Sequence, residues 1–503
     1  MPTVPTKVKK TTCSQHKAPI LDSLLGGADN DKIVQFHVPG HKQGRFFPSE
    51  LKQILGEDIL AIDQPSIDGI TDNCFHSAGC IKEAQELAAE LYGAAHTRFL
   101  VNGSTIGNLT AVMSAVAPGE AILLPRNIHR SIGAALVLSG ARPVYLNPPF
   151  HPAHGALPIS TSEVREAFQR HPELRAVLLT RPTYYGIAND IREIAQICHA
   201  NNCPLLIDAA HGAHLRFFPE GYITQALDLG ADIVVQSCHK TVGSLSGTSQ
   251  LHIGHDALID VDHLQLMLNT LQSTSPNYIL LASLDATRRM MWQQGQTLFA
   301  TAVEKAQQLR DRIDAIPGVS STPLSAELIQ QGYQADPLRL VVNFDGLNIS
   351  GFTAADFLDE RYGIGWEMCD DHNIVLILSP QDDEAMYTNL LSALHALATE
   401  SIAIQAKENH KDPVLGLPPL PELILLPREA AFSRKVKVPI EQALGRICGE
   451  MLMTYPPGNP ILVPGELVSQ EIIDFCLQLK GQGADIYATD SSLESLIVVS
   501  NEN

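Results

Sequence analysis

The chain has 503 residues and a formal net charge of −20. That length predicts two or three domains, and the acidic balance argues against a nucleic-acid partner, because phosphate backbones are repelled. Hydrophobic residues make up 45% and charged residues 18%, a composition that excludes a disordered chain.

The opening residues 1–17 (MPTVPTKVKKTTCSQHK) are basic and polar, with no apolar stretch behind them, so no signal peptide is expected. Residues 1–30 read as an N-terminal arm. No run of about 18 apolar residues occurs, so no membrane span is expected. Nine scattered cysteines include no C-x-x-C pair. That pattern fits reduced thiols better than disulfides or a zinc site, and the expected compartment is the cytoplasm.

Residues 81–92 (IKEAQELAAELY) carry apolar side chains at helical spacing. Strand-like runs follow at 121–124 (AILL), 143–146 (PVYL), 176–180 (AVLLT), 204–208 (PLLID) and 232–236 (DIVVQ), with helical patterns such as 191–200 between them. This alternation predicts a largely parallel sheet with helices on both faces. Such a sheet holds ligands at the carboxyl ends of its strands. The predicted large domain spans 31–300. A smaller α/β domain is expected over 301–403, with strands at 338–344 and 374–378. A polar, then Pro-rich linker (404–423) and a C-terminal domain (424–503) complete the reading.

Four segments behind these runs carry polar chemistry. In 236–250 (QSCHKTVGSLSGTSQ), Lys240 lies just past a strand end among small hydroxyl residues. Ser237 and His239 would bind a phosphate there while the lysine amine meets an aldehyde; the plain alternative is a surface lysine in a Ser/Gly loop. In 206–212 (LIDAAHG), Asp208 ends an apolar run. A buried carboxylate is costly without a cation, and a protonated pyridine nitrogen is such a partner; a helix cap is the alternative. In 99–108 (FLVNGSTIGN), Ser104, Thr105 and a helix start offer donors to a phosphate, or simply cap a helix. In 125–131 (PRNIHRS), His129 would stack on a planar ring, or be an ordinary loop histidine. All four follow predicted strand ends in order, and together they describe a pyridoxal 5'-phosphate site with Lys240 as the Schiff-base lysine.

From about residue 17 onward the chain resembles the bacterial ornithine/lysine/arginine decarboxylases, PLP-dependent enzymes of the aspartate-aminotransferase fold type. The resemblance rests on FHVPGHKQG (36–44), FLVNGSTIGN (99–108), PRNIHRS (125–131), IDAAHGAHLRF (207–217), SCHKTVGSLSGTSQLH (237–252), STSPNYILLASLD (273–285) and YPPGNPILVPGE (455–466). It implies that Lys240 binds the cofactor, Asp208 pairs with the ring nitrogen, His129 stacks on the ring and His211 lies near the reacting carbon. Ser104, Thr105, Ser237 and His239 would hold the phosphate. Thr274 and Ser275 would reach the site from a neighbouring subunit, making a homodimer the minimum active unit. Glu367, in the Trp366-Glu367-Met368 triplet, resembles a glutamate near the substrate.

The resemblance implies decarboxylation of arginine, lysine or ornithine to CO2 and agmatine, cadaverine or putrescine, within polyamine metabolism. The chain resembles the short form, without the large N-terminal regulatory domain. Residues 63–81 diverge from the family pattern, which leaves the substrate open. Either Lys240 or His211 would protonate the α-carbon. Another PLP reaction on this fold, such as transamination, and a non-catalytic PLP-binding regulator are the rivals. No arginine can be assigned from the sequence as the carboxylate clamp that a transaminase needs.

Overall fold

The computed structural model describes residues 14–28, 36–66, 71–405, 417, 420–454, 458–482 and 484–501. The first 13 residues of the expected arm, most of the expected linker, residues 67–70 of the divergent segment and residues 455–457 lie outside them.

Seven strands form the central sheet: β1 (His96–Leu100), β2 (Ala121–Pro125), β3 (Arg142–Leu146), β4 (Leu174–Thr180), β5 (Leu205–Asp208), β6 (Ile233–Ser237) and β7 (Ser249–Ile253). Their order is β1-β7-β6-β5-β4-β2-β3. The pairs from β6 across to β3 are parallel. β7 runs against both of its neighbours, β6 and β1.

A helix, α1 (Cys80–Tyr92), precedes β1, and the apolar runs that follow are continuous because both faces of the sheet are covered. Ile122, Leu124, Leu178, Leu206 and Val235 point to one face, where they pack with α2 (Gly103–Ala115) and α3 (Arg130–Ser139). Leu123, Val177, Leu179, Ile207 and Val234 point to the other, against α4 (Thr161–Arg170) and α5 (Arg192–Ala200). α2 lies unusually close to the sheet. A Cβ on Gly107 would sit 2.6 Å from Val235 and 2.9 Å from Leu100, so glycine sets the depth at which the helix start meets the strand ends.

One helix, α6 (Tyr278–Asp314), runs unbroken for 37 residues. The boundary expected at 300 therefore falls inside a helix. The segment holds no proline and one glycine, so nothing in it stops the helix. Beyond it, β8 (Arg339–Asn343), β9 (Met368–Cys369) and β10 (Asn373–Ile377) form an antiparallel sheet in the order β8-β10-β9. Leu340, Val342, Ile374 and Leu376 share one apolar core with α6. Residues beyond 434 close a separate core around Val438, Leu452, Leu462, Ile472 and Val498.

Parallel β2, β5 and β6, with β1 running the same way, bring four carboxyl ends to one edge of the sheet. The segments singled out by sequence follow these four ends.

Candidate active site

Lys240 lies in a short helical turn, Cys238–Thr241, directly behind β6. Its Nζ is 3.0 Å from His211 Nε2. The other ring nitrogen, Nδ1, receives a hydrogen bond from Arg339 Nη2 at 2.7 Å. A guanidinium cannot accept, so Nδ1 is unprotonated and the ring carries its proton on Nε2. Lys240 is then the acceptor, a role open to a neutral amine and closed to an ammonium. Burial lowers the lysine pKa, against the opposing charges of Asp208 and Glu367. Burial, then Arg339, pushes His211 well below its ordinary value. The hydrogen-bond geometry calls for a neutral, nucleophilic amine, and burial shifts Lys240 in that direction.

Asp208 ends β5 and is 4% exposed. Asn108 Nδ2 donates to its Oδ2 at 2.9 Å, and the Ala210 N–H donates to Oδ1 at 3.1 Å. Among the described residues no ion pair reaches this carboxylate. Asn108 also donates to Ser131 Oγ at 3.0 Å, and Ser131 Oγ lies 2.8 Å from His129 Nδ1. His129 is the N-cap of α3, accepting from the Ser131 N–H. Burial lowers its pKa, with Asp208 opposing the shift.

Ser104 Oγ lies 2.7 Å from both Ser237 Oγ and Ser249 Oγ. Ser237 and Ser249 face each other in the β6–β7 register, which is why three hydroxyls meet. α2 starts beside them, and its N-cap residue Asn102 makes no side-chain capping bond. The first-turn N–H groups therefore lack the usual oxygen and suit an anion. Thr105 is exposed in this first turn. His239 Nδ1 lies 2.8 Å from the Thr248 carbonyl, so Nδ1 carries a proton. Nε2 is the atom left for a phosphate, and it donates only after gaining a second proton.

Glu367 accepts from the Tyr184 hydroxyl, and Tyr184 lies edge-on to His211 with ring centres 4.7 Å apart. Thr274 and Ser275 sit in an exposed turn before α6. Ser275 N–H donates to Ser273 Oγ, and Asn277 caps the helix. Among the described residues no hydrogen bond joins this turn to the Lys240 cluster.

Four residues of the cluster escaped sequence reasoning. Asn108 stands four places after Ser104, on the same face of α2. Ser131 lies two places after His129. Ser249 belongs to SQLHI, which has no apolar run. Arg339 opens a buried strand and is 3% exposed, with Nε and Nη1 unpartnered among the described residues. A charge at the head of LRLVVNF was the only signal available for it.

The profile of the Orn/Lys/Arg decarboxylase major domain matches residues 18–332, and that of the Orn/Lys/Arg decarboxylase C-terminal domain matches residues 419–485. The chain belongs to the Orn/Lys/Arg decarboxylase family. It is 35% identical to an arginine decarboxylase of Bacillus subtilis over 493 residues, covering 97% of this chain and 99% of that one. It is 25% identical to the constitutive lysine decarboxylase of Escherichia coli, covering 90% of this chain and 76% of that one. The crystal structure of a Francisella novicida lysine decarboxylase superposes with a TM-score of 0.82 at 22% identity, over 96% of this chain and 81% of that one. The fold is the α/β fold of that family, with a mostly parallel seven-stranded sheet, and the chain is a decarboxylase of the basic amino-acid class. Among the described residues no helix is long and apolar enough to cross a membrane.

Proposed function

We propose that the chain decarboxylates arginine, using pyridoxal phosphate held on Lys240. Arginine is favoured over lysine because full-length relatives named arginine decarboxylase are 34–36% identical, against 25% for the lysine decarboxylase of Escherichia coli. The observation that carries the cofactor reading is the Lys240–His211–Arg339 chain, which leaves the lysine amine neutral beside a buried, cation-free carboxylate.

The residues fit the group. The Ser104, Ser237 and Ser249 hydroxyls and the uncapped start of α2 suit a phosphate. Asp208 is satisfied by neutral donors only and lacks the positive partner that a protonated ring nitrogen brings. His129 is held by Ser131 as a ring to stack on. When bound, pyridoxal phosphate supplies an aldehyde for the lysine amine and a ring that takes up the electron pair released as CO2 departs.

The chain's own residues do the rest. Asp208 keeps a proton on the ring nitrogen by charge and is itself held in place by Asn108. His211 stores one proton on Nε2, 3.0 Å from Lys240 Nζ, so this pair holds the proton destined for the α-carbon. Tyr184 orients Glu367 beside the same cluster, where a carboxylate suits the cationic end of a basic amino acid. Thr274 and Ser275 complete the phosphate side of a neighbouring subunit's site in a homodimer or a larger assembly of dimers. The cytoplasm is the compartment that suits eight free cysteines among the described residues.

A panel of arginine, lysine and ornithine, scored for CO2 and for the amine formed, tests this reading. Release of CO2 with agmatine from arginine, well ahead of the other two, is expected. Keto-acid formation without CO2 would overturn decarboxylation, and faster turnover of lysine would overturn the substrate.

A further inference from the structure

The loop that carries His129 is anchored by residues of the C-terminal region. Arg126, three places before His129, forms a two-point ion pair with Glu466, with Nη1–Oε1 at 2.6 Å and Nη2–Oε2 at 2.8 Å. The two side chains are 4% and 0% exposed. Arg126 Nη2 also donates to the Ile461 carbonyl at 2.7 Å, and its guanidinium lies 4.7 Å from the centre of the Tyr145 ring. Glu466 is fixed in turn, because its Oε2 accepts the Val463 N–H at 2.8 Å. The backbone N–H of Arg130, next to His129, donates to the Gly458 carbonyl at 3.1 Å. One turn into α3, a Cβ on Gly133 would lie 2.4 Å from Met451. The loop and the helix that His129 caps are thus clamped on one side by the C-terminal region. On the other side, His129 Nδ1 meets Ser131, which receives Asn108, which holds Asp208.

We propose that Glu466 is a positioning residue for the cofactor site: through Arg126 it sets where the His129 ring lies. The proposal rests on the reading of His129 as the ring that stacks on the cofactor. A buried ion pair is weak evidence for stability, since an apolar pair of similar volume often serves as well. Its value here is directional. A planar guanidinium gripped at two points by a carboxylate fixes orientation as well as distance, and it does so at the root of a loop whose tip faces Asp208 and Lys240.

The test is titration of the apoenzyme with pyridoxal phosphate, following affinity and the circular dichroism induced in the bound cofactor, beside a thermal melt of each apoenzyme. His129→Ala sets the scale. Loss of one stacked ring should weaken binding roughly three- to tenfold. The double variant Arg126→Met/Glu466→Leu leaves no lone buried charge but strands the Val463 N–H and the Ile461 carbonyl, so it should melt below wild type while still folding, weaken binding by a similar factor and reduce the induced band. Arg126→Lys keeps the charge without the two-point grip and should fall between. If His129→Ala weakens binding and the folded double variant binds as wild type with an unchanged band, Glu466 has no positioning role and the stacking reading survives. If His129→Ala itself changes neither affinity nor band, both readings fail. Should the double variant not fold, Arg126→Lys decides, and a wild-type affinity and band there overturns the proposal.

Discussion

The strand-end cluster and the turn before α6 carry the same kinds of residue in opposite settings. At the ends of β5 and β6, Asp208, His211 and Lys240 are tied to Asn108 and Arg339 by hydrogen bonds of 2.7–3.0 Å. The bonded partners stand 29, 100 and 128 residues apart in sequence, and one chain assembles them. In the turn, Thr274 and Ser275 are exposed, and the Ser275 N–H is bonded to Ser273 Oγ. Burial organises the first set, because a buried polar group must find a partner. Solvent satisfies the second set, which gains a fixed role only when another surface covers it. The difference separates the chemistry a single chain builds from the part that, in the proposed function, a second copy completes.

The buried half is broken most completely by Lys240→Ala. Turnover should fall to background, and the cofactor's absorbance band near the visible edge should vanish from the purified protein. Turnover near wild type would remove Lys240 from the reaction. Asp208→Asn should spare cofactor binding and lower kcat about ten- to a hundredfold, since one charge-assisted hydrogen bond is worth about 1.5–3 kcal/mol. An unchanged kcat would exclude Asp208 from the chemistry.

The exposed half is sharpened by complementation. A Lys240→Ala subunit is mixed with one in which Thr274 and Ser275 are both replaced by bulky residues. If sites are shared, each homodimer is dead and a mixed dimer regains one intact site, so up to about a quarter of wild-type activity returns on free exchange. No recovery despite verified mixing would place the turn outside a shared site.

The smallest effect is on stability, and it too separates the halves. The turn holds no titratable side chain, whereas burial lowers the pKa of His211 and His129, and takes His154 down to about 4 and His252 down to about 3. In the unfolded chain these rings titrate near 6.5. As pH falls from about 6.5 toward 4, the unfolded state therefore gains protons that the folded state refuses, and stability drops. Melting scans should show a lower Tm at pH 5 than at pH 7.5. A flat or rising Tm over that range would contradict this sign.

The residues proposed to face the cofactor stand out in the sequence because they follow apolar runs, the place where a parallel sheet exposes its chemistry. Asp208 behind LLI and Lys240 behind IVVQS stand out for this reason. Their supports were not legible. Asn108 finds Asp208 across 100 residues, and Arg339 finds His211 across 128, and neither distance leaves a mark on local pattern. β7 was missed because Ser249, Gln250 and His252 are buried polar residues that mask a strand. The boundary expected at residue 300 lies within a helix whose spacing begins at Tyr278 and runs on through that position. His239 was read for its side chain alone, whereas the carbonyl of Thr248 claims its Nδ1.

Lys240 is the residue proposed to hold the cofactor. Reduction of the holoenzyme with borohydride fixes the cofactor to the amine that carries it, and mass mapping of the peptides then reads the position. The added mass is expected on Lys240, in the peptide containing SCHKTVGS, and is expected to be absent from the Lys240→Ala protein. Label on another lysine, or an unlabelled Lys240 in protein that retains decarboxylase activity, would contradict it.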